Sequence, residues 1–245
     1  LASSGLIKKA FLNDLNPDLA NLYVVIKCFP REFIHACDVL SAEYLALDDM
    51  ERAEYYYEKR RQYNLCTGFD FISRGAATVF LNKTCFNGLF RVNSKGEFNV
   101  PAGRYKSPTI VESENIYAVS RALNRTDAEI TCMDFDDALS SASSDSFVYY
   151  DPPYRPLNKT ACFTTYASGG FDDAEQVRLA DLFRTLSMRG VKQMLSNSDP
   201  KNVDLSDCFF DDLYTGFKIR RVKASRNINS SADKRGSIID LLITN

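Results

Sequence analysis

The chain has no C-x-x-C pair, no apolar run of membrane-spanning length and no large net charge, and each absence removes a class of function. Its seven cysteines (Cys28, Cys37, Cys66, Cys85, Cys132, Cys162 and Cys208) are odd in number and scattered. Neither a disulfide framework nor a zinc site is therefore expected, no metal is called for, and a reducing cytoplasm fits best. No stretch approaches the roughly 20 apolar residues of a spanning helix, so no membrane association is expected. The chain shows no signal-peptide pattern, although it starts at Leu1 rather than Met. A net charge of −2 over 245 residues argues against a protein that coats nucleic acid indiscriminately.

What is present describes a folded protein. Hydrophobic content of 45% and charged content of 25% are ordinary for a globular chain. The length suits one large domain, or one domain carrying a sizeable insertion. The near-neutral average conceals segregation of sign. Lys83, Arg91, Lys95, Arg104 and Lys106 form one basic block and Lys218, Arg220, Arg221, Lys223 and Arg226 another. Acids gather at Asp134 to Asp137, Asp172 to Glu175 and Asp199 to Asp212. Either basic block, taken alone, reads equally as a solvated face or as a nucleic-acid contact.

Hydrophobic periodicity divides the chain. A short strand is expected at Lys9–Leu12, then a helix over Asp18–Lys27. From about Glu32 to Thr126 the pattern is mainly helical, with one helical run over Ser41–Tyr63 and a second over Ile72–Leu81. The second leads into a Gly- and Asn-punctuated loop at Asn87–Gly96. Strands return at Glu129–Met133 and Ser146–Tyr150. Asp172 opens a helix with an acid at Glu175, Leu179, Leu182, Phe183 and Leu186 recur on one face, and Gly190 stops it. Strands follow at Val191–Ser196, Phe217–Val222 and Ile238–Thr244, the last two as an antiparallel pair at a sheet edge. Alternating strands and helices, interrupted once, predict an open α/β sheet with an inserted, mainly helical domain. Such sheets bind ligands beyond the carboxyl ends of their strands, where Asp14, Asp134 and Asp151 would lie.

The most informative feature is Asp151-Pro152-Pro153-Tyr154, at the end of the apolar run Phe147-Val148-Tyr149-Tyr150. Prolines lack an N–H and fix φ, so the segment cannot continue as a central strand. It forms a rigid rim on which the Asp151 carboxylate and the Pro152 carbonyl can accept both hydrogens of an exocyclic amino group while Tyr154 stacks on the base. The plainer alternative is an ordinary strand followed by a Pro-Pro turn.

Three segments resemble the Dam-type DNA adenine-N6 methyltransferases, the D12 class of the alpha group with the DPPY motif. They are FLNKTCFNGLFRVNSKGEFNVPAGRYK (Phe80 to Lys106), VYYDPPYRPLNKTACFTTY (Val148 to Tyr166) and RGSIIDLLITN at the end. The resemblance implies a Rossmann-like methyltransferase sheet. Residues 1–31 and 127–245 would belong to the catalytic domain, and 32–126 to a helical target-recognition domain. It implies methyl transfer from S-adenosylmethionine to the exocyclic amino group of adenine in GATC, by a monomer acting on double-stranded DNA in a bacterial or phage-infected cytoplasm.

The resemblance also implies roles residue by residue. Asp151, Pro152, Pro153 and Tyr154 are catalytic, and Asp14, Asp134, Phe135 and Asp151 contact the cofactor. Leu89, Arg91 and Pro101 read the outer base pairs, Arg91 being suited to guanine O6 and N7. Phe86 is the aromatic wedge, where most members have Tyr, and Asn93 and Tyr166 also face DNA. Lys83, Asn87, Arg104, Tyr105 and Lys106 hold phosphates. One departure stands out: the family's opening Gly-rich tract and F-x-G-x-G turn are not found among these residues, so residues 1–245 alone are expected to bind the cofactor weakly or not at all. A sequence-specific DNA-binding protein without catalysis, an adenine methyltransferase with another target, and a small-molecule or RNA methyltransferase are the alternatives.

Overall fold

The computed structural model describes residues 5–66, 68–93, 95–156, 170–225 and 237–245, and they are mixed α and β. The chain forms two compact units, Leu1–Ala138 and Leu139–Asn245.

In the first unit, β1 (Phe11–Asn13) pairs in parallel with β2 (Glu129–Thr131), Phe11 lying opposite Glu129. The strand expected from Lys9 thus starts at Phe11. Five helices fill the sequence between the strands: α1 (Pro17–Cys28), α2 (Pro30–Leu45), α3 (Asp49–Asn64), α4 (Phe71–Thr84) and α5 (Ser113–Arg125). The short α6 (Phe135–Ala138) follows β2. The single run expected over Ser41–Tyr63 is two helices. The break is local chemistry: Asp48 accepts from the N–H groups of Met50 and Glu51 at 2.9 Å, and Glu51 accepts from Asp48 N–H at 3.0 Å. This reciprocal cap satisfies donors that a continuous helix would not leave free. Asp70 and Ser73 open α4 in the same way.

The core of this unit includes Phe33, Cys37, Tyr56, Phe80, Leu81, Phe98 and Val100, all essentially inaccessible to solvent. Each large apolar side chain contributes about 1.5–3 kcal/mol through burial. Tyr56 also donates to the Val100 carbonyl at 2.8 Å, which fastens the loop after α4 to α3 without leaving a buried hydroxyl unpaired.

The second unit holds a four-stranded sheet in the order β3–β4–β6–β5. Its strands are β3 (Phe147–Tyr150), β4 (Lys192–Ser198), β5 (Lys218–Ser225) and β6 (Ser237–Thr244). β3 and β4 are parallel, with Tyr150 opposite Leu195, whereas β6 runs antiparallel to both β4 and β5. The antiparallel pair expected at the edge is present. Helix α7 (Asp173–Met188) is capped by Asp172, which accepts from Glu175 N–H at 3.0 Å, and it stops before Gly190 at φ 78°. Its face of Leu179, Phe183 and Leu186 is buried, and Phe183 packs edge-on against Tyr214, just past α8 (Phe209–Leu213).

Candidate active site and nucleic-acid interface

β3 ends at Tyr150, and the next four residues form a rim whose groups are sorted by their partners. Asp151 is exposed; its Oδ1 accepts from the Ser196 hydroxyl at 3.1 Å. Among the described residues neither its Oδ2 nor the Pro152 carbonyl has a hydrogen-bond partner. The Pro153 carbonyl, by contrast, accepts from Gln176 Nε2 at 3.2 Å. The free acceptors of the rim are therefore those of Asp151 and Pro152. Tyr154 is half-buried, and burial raises its phenol above the ordinary range despite an opposing hydrogen bond with Ser196. Its hydroxyl stays protonated, leaving a neutral ring.

The polar end of β4 holds this rim. Asn197 Oδ1 accepts from Arg155 N–H at 3.0 Å, and Ser198 Oγ donates to the Arg155 carbonyl at 2.7 Å. The Arg155 guanidinium is gripped by Asp173 at 2.7 and 3.0 Å and by Asp207 at 2.8 Å, and lies 4.3 Å from the ring of Phe209. Two-pronged carboxylate contacts of this kind fix orientation as well as charge. Sequence reasoning missed Gln176, Ser196, Asn197 and Arg155. A partial signal existed: three consecutive polar residues, Ser196-Asn197-Ser198, end a strand of the sheet, and buried polar residues need specific partners. Tyr166 lies outside the described residues.

The second basic block is partly neutralised within its own unit. Arg221 contacts Asp199 at 2.7 Å and Asp211 at 2.8 Å, and Lys201 contacts Asp211 at 2.8 Å. Arg226 lies outside the described residues.

In the first unit, the loop after α4 brings together residues that are distant in sequence. Phe86 N–H donates to the Pro101 carbonyl at 2.9 Å, Gly103 N–H to the Thr84 carbonyl at 2.8 Å, and Cys85 bridges Ala102. Between these ties the chain doubles back, with Val92 bridging Phe98. Asn87 takes the left-handed conformation at φ 55°, which Asn tolerates better than most residues, and Phe86 is left 47% exposed at the tip. Burial pushes the Cys85 thiol up to about 11; it remains protonated and donates toward the carbonyls of Leu89 and Asn82.

Arg91 is half-buried; its Nε donates to Asn99 Oδ1 at 2.7 Å and its Nη2 to the Asn99 main-chain carbonyl at 3.4 Å, so Asn99 holds one side of the guanidinium. Asn93 is engaged in its own turn, accepting from Lys95 and Glu97 N–H and donating to the Glu97 carboxylate at 2.7 Å. Pro101, Arg104, Tyr105 and Lys106 are exposed, Leu89 is half-buried, and Lys83 makes a surface pair with Glu112 at 3.6 Å.

Asp14 directly follows β1, and Asp134 and Phe135 follow β2. The two strand ends are tied by Asn13, which donates to the Met133 carbonyl at 2.9 Å and accepts from Met133 N–H at 3.2 Å. Asp14 is exposed; one oxygen accepts from Asn16 N–H at 2.8 Å and the other has no partner among the described residues. Asp134 accepts from Asp136 N–H at 2.9 Å, opening α6. Two carboxylates at adjacent ends of parallel strands suit hydroxyl and amino donors of a ligand.

Residues 2–228 match the D12 class N6 adenine-specific DNA methyltransferase family. Among characterised proteins, the chain is 47% identical over 240 residues to the type II methyltransferase M.MjaIII of Methanocaldococcus jannaschii, covering 97% of this chain and 80% of that protein. It is 38% identical to the type II methyltransferase M1.LlaDCHI of Lactococcus lactis subsp. cremoris, covering 97% and 80%. With the DNA adenine methylase of Haemophilus influenzae it shares 36% identity, covering 96% and 77%.

Proposed function

Because this chain belongs to the D12 class of N6 adenine-specific DNA methyltransferases, we propose that it transfers a methyl group from S-adenosylmethionine to the exocyclic amino group of adenine in GATC. The observation that carries the reading is the sorting of acceptors after β3. Among the described residues Asp151 Oδ2 and the Pro152 carbonyl are free, while Ser196 steadies Asp151 and Gln176 holds the Pro153 carbonyl.

An adenine amino group has two hydrogens and a lone pair delocalised into the ring, so it is a poor nucleophile. Asp151 and Pro152 accept those hydrogens and favour a pyramidal nitrogen whose lone pair points away from the rim. Fixed acceptors of this kind lower the barrier through orientation and preorganised charge. The Tyr154 ring stacks on the extruded base, and Asp151 accepts a proton only once the nitrogen has become acidic. Bound S-adenosylmethionine supplies an activated methyl group; Asp14 would hold its ribose, and Asp134 with Phe135 its adenine.

The loop after α4 does the reading. Phe86 enters the stack vacated by adenine, offsetting the few kcal/mol that extrusion costs. Arg91 reads guanine, Leu89 and Pro101 contact the outer base pairs, and Lys83, Asn87, Arg104, Tyr105 and Lys106 hold phosphates, with Asn93 shaping the hairpin that presents them. Residues 32–126 form the inserted target-recognition domain of an open-sheet catalytic domain. Support comes from β1 and β2, which flank that segment in sequence and pair in parallel. The protein acts as a monomer on double-stranded DNA in the cytoplasm, and no helix among the described residues is long and apolar enough to cross a membrane.

The test is transfer of labelled methyl to duplexes with one GATC or a single-base variant of it, by the full chain and by Asp151→Ala. Label in GATC alone, lost in Asp151→Ala, is expected. Equal labelling of the variants refutes the target, and labelling by Asp151→Ala refutes the assignment of the rim.

A further inference from the structure

Two side chains outside the motif hold the main-chain groups on both sides of Tyr154. Gln176 on α7 and Asn197 on β4 are fully buried. Gln176 donates from Nε2 to the Pro153 carbonyl at 3.2 Å and accepts at Oε1 from Asn197 Nδ2 at 3.3 Å. Asn197 in turn accepts at Oδ1 from Arg155 N–H at 3.0 Å and from Ser198 N–H at 2.9 Å. The bonds form a closed circuit: Pro153 carbonyl, Gln176, Asn197, Arg155 N–H, and back through Tyr154.

Burying two amides is unfavourable unless their polar atoms are matched, and apolar side chains of similar volume would pack there without that cost. What they match is specific. Pro153 C=O and Arg155 N–H lie beyond the end of β3, so the strand ladder offers them no partner. Neither amide touches the free acceptors.

We propose that Gln176 and Asn197 are positioning residues for the methyl-transfer reaction. They fix the peptide planes on either side of Tyr154, set the angle at which its ring meets the base, and keep the Pro153 carbonyl turned away so that the Pro152 carbonyl faces the adenine amino group. The proposal rests on reading Asp151 to Tyr154 as the adenine-holding segment. Asp151 and Tyr154 act on the base, and Gln176 and Asn197 act through them.

Gln176→Glu tests it with nearly unchanged shape. A carboxylate still accepts from Asn197, but it sets an acceptor against the Pro153 carbonyl. The full chain should lose about 10²-fold in kcat at about pH 8, with DNA affinity and KM within about threefold of wild type. Protonation gives that carboxyl a hydrogen to donate, and burial raises its pKa, so the deficit relative to wild type should narrow toward about pH 6. With 2-aminopurine at the target position, the variant complex should fluoresce more brightly, because a misaligned ring quenches the extruded base less.

Gln176→Met, which removes both bonds without adding charge, guards against misfolding of the first variant and should show the same kcat loss while still melting cooperatively, at a lower temperature because the Pro153 carbonyl and Asn197 Nδ2 lose their partner. Folded Gln176 variants with near-wild-type kcat and 2-aminopurine emission, alongside an inactive Asp151→Ala, would overturn the proposal and leave the catalytic reading intact. An active Asp151→Ala would overturn the catalytic reading, and this proposal with it.

Discussion

The Ser196 hydroxyl donates to Asp151 Oδ1 at 3.1 Å, between neighbouring parallel strands, and lies 3.0 Å from the Tyr149 hydroxyl. One oxygen of Asp151 is thereby fixed, and the other has no partner among the described residues. A hydrogen bond to a charged group contributes about 1.5–3 kcal/mol. Ser196→Ala should therefore lower single-turnover methylation by about 10- to 10²-fold, while DNA affinity stays unchanged because phosphate contacts dominate it. Unaltered turnover would show that the hydroxyl does not hold the carboxylate.

Much of this arrangement was legible in the sequence, for reasons that differ by element. Helix α7 announced itself through Asp172, the Leu179–Phe183–Leu186 face and Gly190, because capping and periodicity are local. The rim was legible because two prolines after an apolar run permit little else. The break between α2 and α3 was missed although Asp48 and Glu51 have capping-box spacing; the surrounding Glu, Lys, Arg and Ala residues favour helix and masked it. The Gln176–Asn197 circuit could not be read at all. Its members lie 21 residues apart, and it exists only once α7 and β4 have packed.

Arg91 and Lys106 should fail in different ways. Asn99 holds the Arg91 guanidinium through its side-chain oxygen, 2.7 Å from Nε, and its main-chain carbonyl, 3.4 Å from Nη2. Arg91→Ala should cost about 1–3 kcal/mol of discrimination at one base pair and raise methylation of near-cognate sites. Arg91→Lys should not restore it, since a point charge lacks the planar fork. Lys106→Ala should instead weaken binding to all sequences and reduce the salt slope by about one. Indistinguishable profiles for Arg91→Ala and Lys106→Ala across salt and sequence would refute the sorting into base and phosphate contacts.

Gly103 is required by space. A Cβ there would lie 2.8 Å from the Cys85 carbonyl and 2.5 Å from the Tyr105 ring. The ring can swing away, but the carbonyl belongs to the bridge that ties Phe86 to Pro101. Gly103→Ala should destabilise the protein by about 1–3 kcal/mol, as overpacking does, and weaken DNA binding by shifting both Phe86 and Tyr105. The denaturant midpoint and duplex affinity check this; an unchanged pair of values would mean that the loop is not held as described.

Acid should undo the ion pair between Arg155 and Asp207. Burial opposes ionisation of Asp207, but hydrogen bonds from Arg155 at 2.8 Å and from Phe209 N–H at 3.0 Å outweigh it and hold the carboxyl below the usual range. The folded-state value is thus lower than the unfolded value of about 3.9. A group depressed in this way stabilises the fold above its unfolded pKa, and the contribution disappears as pH falls through the folded one. Asp207→Asn should therefore be less stable than wild type at neutral pH, and the gap should close below about pH 4. Denaturant midpoints of both proteins at neutral, mildly acidic and strongly acidic pH measure it. A gap that stays constant across that range would mean that the lost stability comes from packing, and that the charge on Asp207 contributes nothing.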